Sequence, residues 1–176
     1  MPEALVGLGS NVEPDRHLPA AVRLLAERLD VRALSSAWAT PPVGPPGQLP
    51  FLNAAALVAT DLAPAALKAG VLREVERRLG RLRSGDRFAP RTIDLDLVIY
   101  PARGGGRPAE EPGLPRDFVI DPDLHREAHL AVPAAELLPD WVHPATGEPL
   151  ARLAERLVAA LPLADRPRRI ALALSG

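Results

Sequence analysis

Thr92-Ile93-Asp94-Leu95-Asp96-Leu97-Val98-Ile99-Tyr100 alternates apolar and polar side chains, with Ile93, Leu95, Leu97 and Ile99 in one set and Asp94 and Asp96 in the other. A period of two marks a half-buried strand, because successive side chains leave opposite faces. Moving toward the N-terminus, Leu67, Val71, Val75 and Leu79 recur at helical spacing after Pro64 and stop at Gly80, which predicts a helix. Before it, Phe51 to Thr60 reads as extended, Pro41 to Pro50 as a Pro/Gly loop, and Val31 to Thr40 as extended again. Leu18, Val22, Leu25 and Leu29 predict an amphipathic helix over residues 15 to 29, and Ala4 to Leu8 a buried strand closed by Gly9-Ser10-Asn11. The order strand, helix, strand, strand, helix, strand over residues 4 to 100 is the split βαβ pattern. It predicts an α+β, ferredoxin-like βαββαβ core, with helices on one face of an antiparallel sheet and the other face free for a ligand.

Downstream of the deciding strand, residues 101 to 115 contain Gly104-Gly105-Gly106 and four prolines and read as a loop. Short helices are expected around Ala134 to Leu138 and from Leu150 to Leu161, and the alternation of Ile170, Leu172 and Leu174 suggests a last strand. We expect one domain over residues 1 to 161 and a tail over 162 to 176.

With 176 residues, 47% hydrophobic and 24% charged, the chain has globular composition. Its 21 basic and 22 acidic residues leave a net charge of -1, so no global field favours nucleic acid or an anionic membrane. The absence of cysteine excludes disulfides, thiolate metal sites and a cysteine nucleophile. No signal-like start and no membrane-length apolar run is visible, so a cytoplasmic protein is expected, a monomer or weak dimer with small-molecule partners.

Charge reverses abruptly near the deciding strand. Arginines stand at 73, 77, 78, 81, 83, 87 and 91, and Asp94 and Asp96 follow at once. Two carboxylates two residues apart on a strand share one face about 6–7 Å apart and can hold one or two cations between them. Magnesium takes one or two carboxylates and completes its shell with water and phosphate oxygens. The plainer reading is a solvated strand face paired to nearby arginines, and Arg77 and Arg78 fit a helix surface better than a site. Arg81, Arg83 and Arg91, in a Gly-containing loop beside the aspartates, favour anion binding.

The wording of this segment, Glu76-x-x-x-Gly80-Arg81-x-Arg83 and then Phe88-Ala89-Pro90-Arg91-Thr92-Ile93-Asp94-Leu95-Asp96-Leu97, resembles the signature of the hydroxymethyl-dihydropterin pyrophosphokinase family. Leu8-Gly9-Ser10-Asn11, Thr40-Pro41-Pro42-Val43-Gly44 and Phe51-Leu52-Asn53-Ala54-Ala55 extend the resemblance, which covers most of residues 4 to 140. It implies a magnesium-dependent transferase of folate synthesis that moves pyrophosphate from ATP to the hydroxymethyl group of the pterin. Asp94 and Asp96 would bind two magnesium ions, with Arg81 and Arg91 on the phosphates. Glu76, Arg83 and Arg116 correspond to positions on the ATP side. Thr40, Pro42 and Val43 would frame the pterin, Phe51 would stack on it, and Asn53 would bond its polar edge. Without the resemblance, Phe51 reads as a core residue and Thr40-Pro41-Pro42 as a turn.

The family usually carries Pro-His-Pro, then an arginine and a phenylalanine, where this chain has Ile120-Asp121-Pro122, Glu127 and His129. The exchanges remove positive charge near the nucleotide and replace one of two pterin-stacking rings by an imidazole. Two other functions stay open: a non-catalytic module that binds a pterin or a partner, and a zinc hydrolase built on His125 and His129. The zinc reading is weaker, because no glutamate follows the first histidine directly.

Overall fold

A computed structural model describes residues 1–42, 49–82, 89–103 and 118–174. Strand β1 (Glu3–Ser10) lies at the centre of an antiparallel sheet, between β4 (Phe51–Ala59) and β5 (Asp94–Arg103). The run Val31 to Thr40 is two strands: β2 (Asp30–Leu34) pairs with one end of β4 and β3 (Ala37–Thr40) with the other. The break falls at Ser35, whose hydroxyl accepts the Ala55 amide at 2.8 Å while its own amide donates to the Ala55 carbonyl at 2.9 Å. A side-chain oxygen thus takes a backbone place in the ladder, and the strand cannot run through. Short strands β6 (Val119–Ile120), on β5, and β7 (Arg168–Ile170), on β3, extend the sheet at its two sides. The α+β antiparallel architecture expected from the sequence is therefore present.

The helices occupy both faces, not one. α1 (Pro14–Ala26) packs on one face, together with a second helix that runs from α2 (Pro64–Ala66) through a π segment (Leu67–Leu72) into α3 (Arg73–Arg78). Leu18, Val22 and Leu25 from α1 and Leu67, Leu72 and Val75 from the second helix meet Ala4, Val6 and Leu8 of β1. On the other face α4 (Ala128–Leu137), α5 (Leu150–Ala160) and the residues flanking α4 cover Leu5, Leu57 and Ile99 through Leu124, Ala134, Leu138, Leu150 and Leu153. Each fully buried leucine contributes about 1.5–3 kcal/mol relative to exposure, so this second layer is a stabilising core in its own right. α4 starts at Ala128, six residues before the expected Ala134, and continues through Pro133.

Ile99 sits on the opposite face from the one its alternation predicts. Val6 pairs with Leu97 and Leu5 with Ile99, so Val98 is an extra residue, a β-bulge. Val98 and Ile99 then both face α4 and α5, while Leu95 and Leu97 keep the α1 side. Asp94 and Asp96 precede the bulge and stay in register with Gly9 and Gly7. Beyond β7, Leu174 is buried in the α1-side core. Among the described residues no helix is long and apolar enough to cross a membrane.

Candidate active site

Across the second face, Asp94 of β5, Gly9 of β1 and Asn53 of β4 fall in one row, and Asp96, Gly7 and Ala55 in the next. Strands lie about 4.7–4.9 Å apart, so Asp94 and Asn53 stand on either side of a glycine strip, about 10 Å from one another. The strip is the floor of a cavity of about 270 Å³ that Thr40, Phe51, Asn53, Arg91, Asp94, Asp96 and His129 all line. A Cβ at Gly9 would come 3.2 Å from Asn53 Oδ1, and one at Gly7 3.0 Å from Val98 Cγ2. The two glycines therefore keep the floor low.

On the β5 side, Arg91 pairs with Asp94 through its guanidinium, and Arg81 Nε stands 3.8 Å from the other Asp94 oxygen. On the β4 side, Asn53 Nδ2 donates to Thr40 Oγ1 at 2.8 Å. With Nδ2 on Thr40, Asn53 Oδ1 lies on the Gly9 side as a hydrogen-bond acceptor. Phe51 pairs directly with Thr40 across β3 and β4, so ring and hydroxyl share one face. Burial holds the His129 imidazole below its ordinary pKa, with Glu127 opposing, and leaves a neutral ring at pH 7 suited to stacking.

Residues 5–139 match the family described as 7,8-dihydro-6-hydroxymethylpterin-pyrophosphokinase. The chain belongs to this pyrophosphokinase family. A Synechocystis pyrophosphokinase of that kind is 33% identical over 157 residues, which span 88% of this chain and 75% of the relative. One from Methylorubrum extorquens is 39% identical over 145 residues, 81% of this chain and 86% of the relative. A Plasmodium falciparum HPPK-DHPS crystal structure matches with a TM-score of 0.67 at 12% identity, over 97% of this chain and 47% of that one. This chain thus spans about half of that longer protein, and the likeness is one of fold.

Of the residues that the pyrophosphokinase resemblance singles out, Arg91, Asp94, Asp96, Thr40, Phe51, Asn53 and His129 are brought together in the cavity. Pro42 lines a smaller neighbouring hollow of about 180 Å³, which shares Thr40 and His129 with the main one. Glu76 is not in the cavity. It is 2% exposed, accepts the Leu95 amide at 2.9 Å and lies 3.6 Å from Arg73, so it supports β5 from beneath. Val43, Arg83 and Arg116 lie outside the described residues. His125 packs against His143 with ring centroids 5.0 Å apart, His129 lines the cavity, and no group of three or more potential metal ligands forms among the described residues.

In the sequence Gly7 was legible only as part of the Ala4 to Leu8 strand, and Gly9 as the start of the loop that closes it and as part of the Leu8-Gly9-Ser10-Asn11 resemblance. Their alternation on a strand, with both glycines on the ligand face, is the signal that marks them as floor. We expect Gly9→Ala to fold and to raise the KM for the pterin about tenfold, since crowding of this kind costs about 1–3 kcal/mol. Steady-state kinetics with ATP saturating reads it, and an unchanged KM would place the pterin elsewhere.

Burial raises the Asp96 carboxyl to about 6, and the Asp94 and Asp121 carboxylates push the same way. Burial likewise raises Glu76 to about 7, helped by Asp94 and opposed by its bond from the Leu95 amide. Both folded values exceed the ordinary 3.8 and 4.5, so the folded state keeps protons that the unfolded chain has released. The ligand-free protein should therefore lose stability from about pH 4 to pH 7 and level off above. Thermal unfolding at constant ionic strength checks this, with Glu76→Gln flattening the upper part of the slope. A steeper slope in that variant would contradict the assignment.

Proposed function

We infer that the cavity transfers the β- and γ-phosphates of ATP together to the hydroxymethyl oxygen of 6-hydroxymethyl-7,8-dihydropterin, releasing AMP, as a step of folate synthesis. The observation that carries this reading is the row in which Asp94 and Asn53 flank Gly9. It offers a carboxylate and arginine end for a polyphosphate, and an aromatic and amide end for a flat heterocycle, within one small molecule's length of each other.

The residues fit magnesium on the chemistry of their donors. Two carboxylates share one strand face, and burial first and like charge second raise the pKa of one of them to about 6, a cost to its ionised form that a divalent cation would offset. Asp94 and Asp96 would hold it, and when bound it supplies positive charge against the phosphate oxygens. Arg91 and Arg81 bind the same oxygens, while Phe51, Asn53 and His129 orient the pterin so that its hydroxymethyl group points across the glycine strip. Catalysis by position and charge is what such a transfer requires, without a covalent link to the protein. We assign residues 1–161 to the pyrophosphokinase domain and 162–176 to its tail, and place the reaction in the cytoplasm.

Asp123 and Glu127 also line the cavity, and Asp121 acts on Asp96, so negative charge stands where the polyphosphate would lie. That favours pterin binding without turnover. AMP release from ATP separates the two: the enzyme forms AMP only when both the pterin and magnesium are present. Pterin binding with no AMP under those conditions would leave the non-catalytic module.

A further inference from the structure

The turn after β1 holds Arg91, a residue 80 positions away, by its backbone. The Arg91 amide donates to Asn11 Oδ1 at 2.7 Å, and the Arg91 carbonyl accepts from the Asn11 and Val12 amides, both at 3.1 Å. Three bonds thus fix the backbone of a single residue just ahead of β5. The turn is itself braced. Ser10 Oγ donates to the Val12 carbonyl at 3.2 Å, the His17 Nδ1–H of α1 donates to the same oxygen at 2.6 Å, and Glu13 takes a left-handed φ of 44° to let the chain enter α1. Ser10, Asn11 and His17 are all buried, which limits competition from water for these bonds.

An arginine side chain is long and has many rotamers, and a guanidinium can meet a carboxylate and a phosphate reproducibly only if its Cα is fixed. We propose that Asn11 is a positioning residue for Arg91: through the turn that His17 braces, it sets where the guanidinium meets Asp94 and the transferring phosphate. This rests on the pyrophosphokinase reading. Neither Asn11 nor His17 lines the cavity, and the bonds of Asn11 to Arg91 give it a direct route to a residue that does.

Misplacement of a catalytic group by about 1 Å can cost on the order of 10²-fold in rate. Asn11→Ala is therefore expected to lower kcat by about tenfold to a hundredfold, with the KM for the pterin changed less than about twofold. In an Arg91→Ala background the same substitution should lower kcat by no more than about twofold, because the group it positions is gone. Asn11→Asp keeps the accepting oxygen and should retain most of kcat and the slow amide exchange of Arg91, which Asn11→Ala loses. Equal losses in both backgrounds, or an Arg91 amide that stays protected in Asn11→Ala, would overturn the proposal. If the native protein formed no AMP, the functional reading would fail instead, and the exchange of the Arg91 amide would still report on the bracket.

Discussion

Asp96→Asn should abolish turnover and at the same time make the ligand-free protein more stable above pH 7. The loss follows from removing half of the carboxylate pair on the cavity face of β5; losing a metal's charge stabilisation costs several kcal/mol, or on the order of 10³-fold in kcat. The gain follows from the raised pKa of Asp96, which means that its ionised form is held in the fold at a cost of about 3 kcal/mol. An amide carries no charge to desolvate. It also faces no repulsion from Asp94 or Asp121, so part of that cost is recovered. Unfolding midpoints at pH 7.5, without magnesium or nucleotide, should rise by several degrees. A variant with normal turnover would remove Asp96 from the site, and one with both turnover and stability lowered would make it a structural residue.

Arg91→Ala should cost on the order of 10³-fold in kcat, the scale of a phosphate-clamping arginine in phosphoryl transfer. Asp94 would keep Arg81 nearby, whose Nε stands at 3.8 Å. Arg91→Lys restores the charge without the two-pronged donor geometry, so it should recover only part of the loss. The KM for the pterin should change little in either variant, because Arg91 borders the β5 side of the glycine strip and Asn53 the β4 side. A pterin KM raised as much as kcat falls would mean that the guanidinium orients the ring instead of the phosphates.

Most of the sheet was legible because its strands carry their period openly. The alternation of Asp94 and Asp96 against Leu95 and Leu97 made both the strand and the shared face of the two aspartates readable, and that face lines the cavity. The alternation misled beyond Leu97, since a bulge is a property of pairing with β1 and leaves no local mark around Val98. The break in the run from Val31 to Thr40 was hidden for a similar reason: it depends on the Ser35 hydroxyl finding Ala55 in another strand. Residues 128 to 133 were not read as helix, and Pro133 argues against one locally, although packing of Leu130 and Ala134 in the second core layer outweighs it. In the site, residue types announced Asp94, Asp96 and Arg91, whereas Phe51, Asn53 and Thr40 needed a resemblance to distinguish them from core and turn residues. Glu76 shows the opposite case: a charged residue in the right motif turned out to sit beneath β5, holding Leu95, and not at the cavity surface.

In the proposed reaction two phosphates move as one unit across the glycine strip between Asp94 and Asn53. Phosphorus NMR of a reaction containing ATP, the hydroxymethyl-dihydropterin and magnesium measures this directly. The expected spectrum has AMP as a lone phosphorus signal and a pterin product with two coupled phosphorus signals. ADP together with a pterin that carries a single uncoupled phosphorus, or with free phosphate, would contradict it.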